Sequence, residues 1–310
     1  MGKEKLNNPE KDKCEIVRLR PGVMLLDAMP PMSMGLLRRL LGVFVAGCLL
    51  MACSSDNGEE PSVLSNKAEV TLTFSPYEMT AITRSAVSIV DVVTHLDVWI
   101  YESGTEVTSI HQTTADATFG TVTTTLDKTK TYTLYAVAHK ADGATLSDGV
   151  ISFTDDKVTH SMFYTTTFTP ATTTSLSCEM TRIVADFRLE ITDEIPAAVK
   201  KLRFTVSEVF DRWSVTDGGM HQLDRTSIIN YNGTSAVFNI YAIVTDAQTT
   251  HTVTVTALDE NDQEVQTRTF ADVPLRNGYK TNYRGTFFID TPMTMSFTVN
   301  DWNEYDTVNF

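Results

Sequence analysis

The residue of this 310-residue chain that is best placed for chemistry is Cys53. Arg38 and Arg39 precede an apolar run over residues 40–51, and Ala52 is the small residue directly before the cysteine. A basic region, an apolar region and a small residue form the layout of a signal peptide and its cleavage point. The run is shorter than the roughly 20 apolar residues that a membrane span needs. The sequence therefore predicts that residues 34–52 are a signal peptide and that Cys53 begins the mature chain.

The motif Leu50-Met51-Ala52-Cys53 resembles the lipobox of bacterial lipoproteins. The resemblance implies a diacylglycerol on the Cys53 sulfur and a further acyl chain on its amine, and we expect no cofactor besides this lipid. Two or more acyl chains anchor a protein stably, so residues 53–66 become an acidic polar tether between a membrane and the rest of the mature chain. The alternative is an ordinary signal peptide with an incidental cysteine.

Residues 1–33 are polar and contain prolines, which does not fit a signal peptide. We expect them to be a mis-called N-terminal extension, that is, a stretch wrongly assigned to the protein, and we expect the true start to be Met34.

The net charge argues against one class of partner. The full chain has 39 acidic and 25 basic residues, of which residues 1–52 hold 5 and 8. The mature part therefore carries a net charge of about −17, which repels phosphate backbones. We expect no nucleic-acid partner.

Local motifs for catalysis or metal binding are missing from the sequence. It contains no G-x-S-x-G elbow, S-x-x-K, P-loop or G-x-G-x-x-G motif. The six histidines are scattered singly, so we expect no metal site. The oxygen-rich loop at 259–264 lacks the glycine and glutamate spacing of a calcium loop and is predicted to be a hairpin turn. The pair Asp193 and Glu194 is a pattern that a glycosidase uses, but such acids occur on every acidic surface. We therefore predict no enzyme activity.

Cys178 is expected to be chemically inert. Only Cys53 and Cys178 remain after processing, and acylation of Cys53 would leave Cys178 without a disulfide partner. It occupies a strand position, where a small buried side chain is the favoured interpretation. The alternative, a catalytic thiol, has no recognisable partner motif.

The mature sequence alternates apolar and polar residues with a period of two, which is typical of β-strands. The predicted strands cover 70–74, 95–101, 118–126, 132–139, 150–153, 162–168, 183–191, 202–206, 238–244, 252–257 and 295–299. Short strands separated by turn residues predict an all-β protein of two tandem antiparallel β-sandwich domains. The boundary is expected near residues 170–175, which gives an N-terminal sandwich over 67–171 and a C-terminal sandwich over 172–310.

Arg84 is the second residue for which the sequence predicts chemistry. It lies in Thr83-Arg84-Ser85, in the connection after the first strand, where a trypsin-like protease could cut. A cut there would separate the lipid and the first strand from the rest of the chain. The apolar groove left behind would have unpaired backbone groups, which a strand of another subunit could fill. An uncut, inert arginine is the alternative.

The order and spacing of several motifs resemble the FimB/Mfa2-like, or fimbrillin-like, lipoproteins of Bacteroidales, which build type V pili. The motifs are the lipobox at Cys53, Thr83-Arg84-Ser85, the strands at 96–101 and 132–139, Met180 to Phe187, Val273 to Asn277, Tyr283 to Phe288, and Asp301-Trp302. The resemblance implies transthyretin-like domains with Greek-key connections. It also implies a surface-exposed fimbrial anchor or accessory subunit, held by lipid at the outer membrane, that acts in pilus assembly and adhesion and pairs strands with other pilus subunits.

Two further expectations separate the possible roles. The tail over 303–310 is expected to be too short for a full donor strand, which favours an anchor over a stalk subunit. The alternative function is a surface glycan-binding lipoprotein of a nutrient-uptake system, which needs exposed aromatic residues. Trp99, Trp213 and Trp302 are the candidates. Trp99 and Tyr101 lie on the strand face opposite Leu96, and burial is the favoured interpretation for both.

Overall fold

The computed structural model describes residues 66–77, 88–289 and 295–301. Nearly all of their regular secondary structure is β-strand, which confirms the predicted all-β class. The elements of the first half are β1 (Lys67–Pro76), α1 (Ile89–Val92), β2 (His95–Glu102), β3 (Thr105–Thr113), β4 (Thr121–Asp127), β5 (Tyr132–His139), β6 (Ala144–Ser147), β7 (Val150–Phe153) and β8 (Met162–Phe168). Those of the second half are β9 (Ser175–Arg182), β10 (Ala185–Ile191), β11 (Lys201–Ser214), β12 (Gly218–Asn230), β13 (Val237–Ala242), β14 (Thr249–Leu258), β15 (Glu264–Leu275), β16 (Tyr279–Gly285) and β17 (Met295–Asp301).

Seven strands form the first sheet, in the order β3-β2-β5-β8-β9-β1-β4. Two residue pairs join β8 to β9, Met162 with Arg182 and Phe163 with Thr181, and the sheet turns at this short connection. Apolar side chains from strands on both sides of the turn share one buried cluster, to which β1, β2, β4, β5, β8 and β9 contribute. The seven strands therefore enclose one core between two facing layers.

A four-stranded and a six-stranded sheet build the second sandwich. The first has the order β13-β10-β16-β17, and the second has the order β15-β14-β11-β7-β6 with β12 paired along the other edge of β11. The two sheets share a second buried cluster. Phe187 lies at its centre, with its ring 5.5 Å from the Tyr283 ring and 6.0 Å from the Phe270 ring. Alternation along β10 places Phe187 on the inner face, as the sequence predicts, and alternation along β11 adds Phe204 to the same cluster.

A third buried cluster joins the two sandwiches, and we call it the junction cluster. It takes Trp99 and Phe163 from outward-facing positions of β2 and β8, Ile151 and Phe153 from β7, and Ile243 from the second sandwich. The β6-β7 hairpin strengthens the join, because β7 pairs with the end of β11. The described residues all belong to one compact unit.

Strand pairing crosses the predicted domain boundary in both directions. The β6-β7 hairpin precedes residue 171 but pairs with β11, whereas β9 follows residue 172 but pairs with β1 and β8. The division into 67–171 and 172–310, with its transthyretin-like and Greek-key details, stays a prediction.

Two strand pairs are parallel, although the sequence predicts antiparallel sandwiches. They are β1 with β9 and β10 with β16. Parallel neighbours need long crossover connections, and in both pairs several other strands intervene along the chain. Local alternation predicts that a segment is a strand but carries no information about such distant partners.

The burial of β1 makes the first sandwich sensitive to changes in that strand. Leu72 is fully buried in the first core, whereas its neighbour Thr73 is exposed. We expect Leu72→Ala to lower the free energy of unfolding by about 2–5 kcal/mol, because it leaves a cavity in the core. The matched control Thr73→Ala should cost less than about 1 kcal/mol. Urea denaturation measures both changes, and equal losses would contradict the placement of β1.

Candidate functional site

The two residues for which the sequence predicts chemistry lie outside the described residues. Cys53 precedes Asn66, where the described residues begin, and Arg84 falls in the gap over 78–87. Both assignments stay predictions. Because β1 lies between these positions along the chain, it is the described element through which either modification would act on the fold.

β1 lies inside the first sheet and is hydrogen-bonded on both sides. Antiparallel β4 is one neighbour and parallel β9 is the other. The Phe74 amide donates to the Gly120 carbonyl at 2.8 Å, and the Tyr77 amide donates to the Met180 carbonyl at 2.8 Å. Movement of either end of β1 would therefore disturb hydrogen bonds to two strands together with the core.

The residue register defines the groove that would form without β1. Leu72 lies opposite Val122 on β4 and Leu176 on β9, and Phe74 lies opposite Cys178 on β9. Removing β1 would expose these side chains and leave one edge of β4 and one edge of β9 without backbone partners. An extended apolar segment is the chemical complement of such a groove.

Cys178 is buried within this part of the sheet. It has no exposed surface and lies against β1. Burial raises the pKa of its thiol to about 12, so the sulfur stays protonated and unreactive at neutral pH. This confirms the interpretation of Cys178 as a small buried side chain.

Three histidines converge around one buried carboxylate, an arrangement that sequence reasoning missed. The imidazole N–H groups at His111 Nδ1 and His139 Nε2 donate to the two carboxylate oxygens of Asp97, each at 2.7 Å. His95 stacks on His139 with 5.4 Å between ring centroids. Burial, and then the neighbouring His139 and His111, lower the pKa of His95. The available signal was the i,i+2 spacing of His95 and Asp97, which puts both on one face of β2.

This histidine cluster does not have the arrangement of a metal site. Within residues 66–77, 88–289 and 295–301, no three His, Cys, Asp or Glu residues are placed to hold a metal ion. In the same part of the chain, no helix has both the length and the apolar character needed to cross a bilayer.

The acidic residues considered for catalysis or calcium binding accept hydrogen bonds from the backbone. Asp193 accepts from the Phe287 and Phe288 amides at 2.7 Å, which fixes the segment after β16. Asp259 accepts from the Asn261 and Gln263 amides at 2.8 Å, in the turn between β14 and β15. The prediction of a hairpin turn at 259–264 is therefore confirmed, and Asp193 has a structural use for both of its oxygens.

The three tryptophans have different environments. Trp99 is buried in the junction cluster, which confirms the favoured interpretation, and Tyr101 beside it is half-buried. Trp302 lies outside the described residues. Trp213 is half-buried and packs on Phe163 at 6.0 Å between centroids. Its indole N–H has no acceptor in the described part of the chain.

A half-open cleft of about 430 Å³ lies at the junction of the two sandwiches. Its walls come from the end of β1, the end of β9, the end of β11 and the turn between β15 and β16. The lining residues are Tyr77, Thr181, Arg182, Ile183, Trp213, Asp246 and Arg276 to Tyr279.

Buried His160 and half-buried Arg182 form a polar contact beside the junction cluster. His160 Nε2 accepts from Arg182 Nε at 3.1 Å, and the His160 ring stacks on Tyr241 of the second sandwich. Burial, followed by the nearby Arg182 charge, lowers the pKa of His160 to about 3. In the second sandwich, burial raises the pKa of Asp186 to about 6, although Asn239 donates to both of its oxygens.

Comparison with known proteins gives one family. A model of the family described as fimbrillin-A associated anchor proteins Mfa1 and Mfa2 matches residues 57–308. No curated protein sequence matches the chain.

Similar solved structures cover 76% of this chain. A protein from Bacteroides ovatus described as an adhesin is 15% identical, with a TM-score of 0.49 and 98% of its own length covered. The fimbrial anchor protein Mfa2 from Porphyromonas gingivalis is 11% identical, with a TM-score of 0.46 and 98% covered. A fimbrial assembly protein from Parabacteroides distasonis is 12% identical, with a TM-score of 0.41 and 99% covered.

The lowered pKa of His160 predicts acid sensitivity. Between about pH 6.5 and 3 the unfolded chain binds a proton at this position that the folded chain does not bind, so stability falls as the pH falls. Asp186 works in the opposite direction, because its raised pKa stabilises the fold as the pH drops below about 6. We therefore compare His160→Gln, which keeps a hydrogen-bond acceptor, with the unmodified protein, so that the Asp186 contribution cancels.

From pH 7 to pH 5, the unmodified protein should lose about 2 kcal/mol more unfolding free energy than His160→Gln. Chemical denaturation at both pH values measures the difference. His221→Gln, at a half-exposed histidine paired with Asp211, is the matched control and should keep the acid sensitivity. Identical pH dependence in His160→Gln and the unmodified protein would rule out His160 as its source.

Proposed function

Because the chain belongs to the family of fimbrillin-A associated anchor proteins Mfa1 and Mfa2, we propose that it is a surface-exposed anchor or accessory subunit of a fimbria. It is held at the outer membrane by lipid on Cys53, through the tether over 53–66, and it serves pilus assembly and adhesion without catalysis. The family match over residues 57–308 supports the fimbrial role. The signal-peptide layout in the sequence supports the lipid.

The observation that carries this proposal is the position of β1. β1 follows the tether and lies between two neighbours in the first sheet, not at an edge. A force applied to the lipid would act along β1 and would load its hydrogen bonds to β4 and to β9 at the same time. These hydrogen bonds and the packing of the buried β1 side chains would have to break together, so the strand resists extraction as an anchor requires.

Other pilus subunits are engaged by strand pairing. Within the described residues, β3 and β4 end the first sheet, and β13 and β17 end the four-stranded sheet. The free N–H and C=O groups of such edges are templates for a strand from another chain. A subunit that keeps β1 would pair with another subunit at one of these sheet edges. A cut at Arg84 that releases β1 would instead open the groove between β4 and β9 to a strand of another subunit.

The absence of catalysis has specific support. Cys178 is buried and protonated, and both carboxylate oxygens of Asp193 accept hydrogen bonds from backbone amides.

A surface glycan-binding lipoprotein of a nutrient-uptake system is the second candidate function. The observation that favours it is the half-open cleft at Trp213.

Lipid attachment is tested by changing the modified sulfur. In cells fed labelled palmitate, Cys53→Ser should abolish incorporation and release the protein from the outer-membrane fraction, because hydroxyl oxygen does not replace the thiolate in thioether formation. Cys178→Ala is the matched control and should keep both the label and the membrane location. Palmitate incorporation into Cys53→Ser would contradict the assignment.

Processing at Arg84 separates an anchor from a polymerising subunit. We expect mature protein purified from cells to begin at a blocked Cys53 and to have the intact mass of lipid plus residues 53–310. Arg84→Ala should then leave membrane attachment and fimbriation unchanged. A mature chain that begins at Ser85, with pili lost in Arg84→Ala, would reassign the protein as a subunit that exchanges its first strand.

A further inference from the structure

The cleft at the junction has the size and position of a small-ligand site. At about 430 Å³ it falls within the usual range for such pockets, and meeting points of domains are a common place for them. It is also the place where the end of β1 and the second sandwich face the same solvent-filled space, because Tyr77, Trp213 and Tyr279 all line it.

The wall after β15 is held rigidly in place. Asn277 Oδ1 accepts from the Val244 amide at 3.0 Å, and Asn277 Nδ2 donates to the Val244 carbonyl at 2.8 Å. The Gly278 amide donates to the Val184 carbonyl at 2.9 Å, and Gly278 has φ +78°, a conformation that favours glycine. The wall is therefore preorganised, so the protein loses little conformational entropy when a ligand binds there.

The cleft presents hydrogen-bond donors that other described residues leave unused. Arg276 donates through Nε to the Asp246 carbonyl at 2.7 Å, and its guanidinium lies 4.3 Å from the Tyr279 ring centre. Its two terminal nitrogens have no acceptor among residues 66–77, 88–289 and 295–301. The Trp213 indole N–H, which also has no acceptor among these residues, is buried within the wall, so the Arg276 nitrogens are the donors that a ligand could reach.

One acceptor and several aromatic groups complete the set. The Asp246 carboxylate is exposed at the cleft, with one long contact of 3.4 Å from Asn277 Nδ2. Tyr77 is 43% exposed, and Trp213 and Tyr279 are half-buried along the wall. The cleft therefore combines flat apolar rings with a cationic donor and an anionic acceptor.

We propose that this cleft binds a sugar residue of a glycan. A pyranose ring has an apolar C–H face that packs on aromatic rings, and neighbouring hydroxyls that donate to a carboxylate and accept from a guanidinium. A phosphate ligand fits less well, because Asp246 would repel it and Arg182 already donates to His160. This inference deepens the second candidate function by placing glycan binding at one site, and it stands independently of the fimbrial anchor role and of the lipid on Cys53.

The first experiment uses the full-length protein in detergent on an array of neutral and uronic-acid-containing oligosaccharides. We expect binding to a defined subset of glycans, with a change in intrinsic tryptophan fluorescence when the same glycan is titrated in solution. An array without any bound glycan would overturn the proposal, as would displacement of the bound glycan by inorganic phosphate.

Conservative variants then locate the bound sugar. Arg276→Gln should weaken binding of the selected glycan by at least about tenfold, and Asp246→Asn should do so if the sugar is neutral. If the sugar carries a carboxylate, Asp246→Asn should strengthen binding instead. Arg212→Gln, which changes a half-exposed arginine on β11 that does not line the cleft, is the matched control and should bind normally.

Unfolding is excluded as a cause by measuring the denaturation midpoint of each variant. Equal losses of binding in Arg276→Gln and Arg212→Gln, at unchanged midpoints, would overturn the assignment of the cleft.

Discussion

The pairing of β1 on both of its sides is the constraint on which the first sandwich depends. Its antiparallel partner β4 and its parallel partner β9 both follow much later in the chain, so their contacts form only when distant segments meet. A first strand at a sheet edge could peel away one hydrogen bond at a time. A first strand inside the sheet instead joins the N-terminal end of the domain to its core. Because β1 is paired on both sides, its loss would leave a groove between β4 and β9 with the length of a whole strand.

The junction cluster extends this mechanical continuity to the second sandwich. The β6-β7 hairpin leaves the first half of the chain and adds to the sheet of β11, while Trp99 and Phe163 bury the outer face of β2 and β8. Covering this face also encloses polar groups, such as His160 beside Arg182. These groups remain uncharged or paired because ionisation without a partner would cost free energy. The burial that joins the two sandwiches is therefore also the cause of the acid sensitivity that we predict for His160.

The alternation of apolar and polar residues correctly predicted the strands that have one buried face. It did not predict strand partners or burial that depend on contacts with distant segments of the chain. β1, β11 and β13 follow it closely, each with one buried face. β2 instead is buried on both faces, because the junction cluster covers its outer side, and β12 has only half-buried positions on its inner side. The parallel partner of β1 and the histidines around Asp97 depend on tertiary contacts that no short pattern records. Cys53 and Arg84 were identified from flanking chemistry alone, and they stay predictions because the described residues begin at Asn66 and leave out 78–87.

The distribution of exposed apolar side chains favours strand pairing over docking on a broad surface. Among the described residues, Val107, Ile228 and Phe297 are 46%, 59% and 53% exposed, and they lie on β3, β12 and β17. Each of these strands has a partner on one side within the described part of the chain. Single apolar residues do not make a docking patch, but a strand added at the same edge would cover one of them while its backbone met unpaired N–H and C=O groups. An acidic surface that discourages general association thus leaves the sheet edges as the places where another subunit gains most.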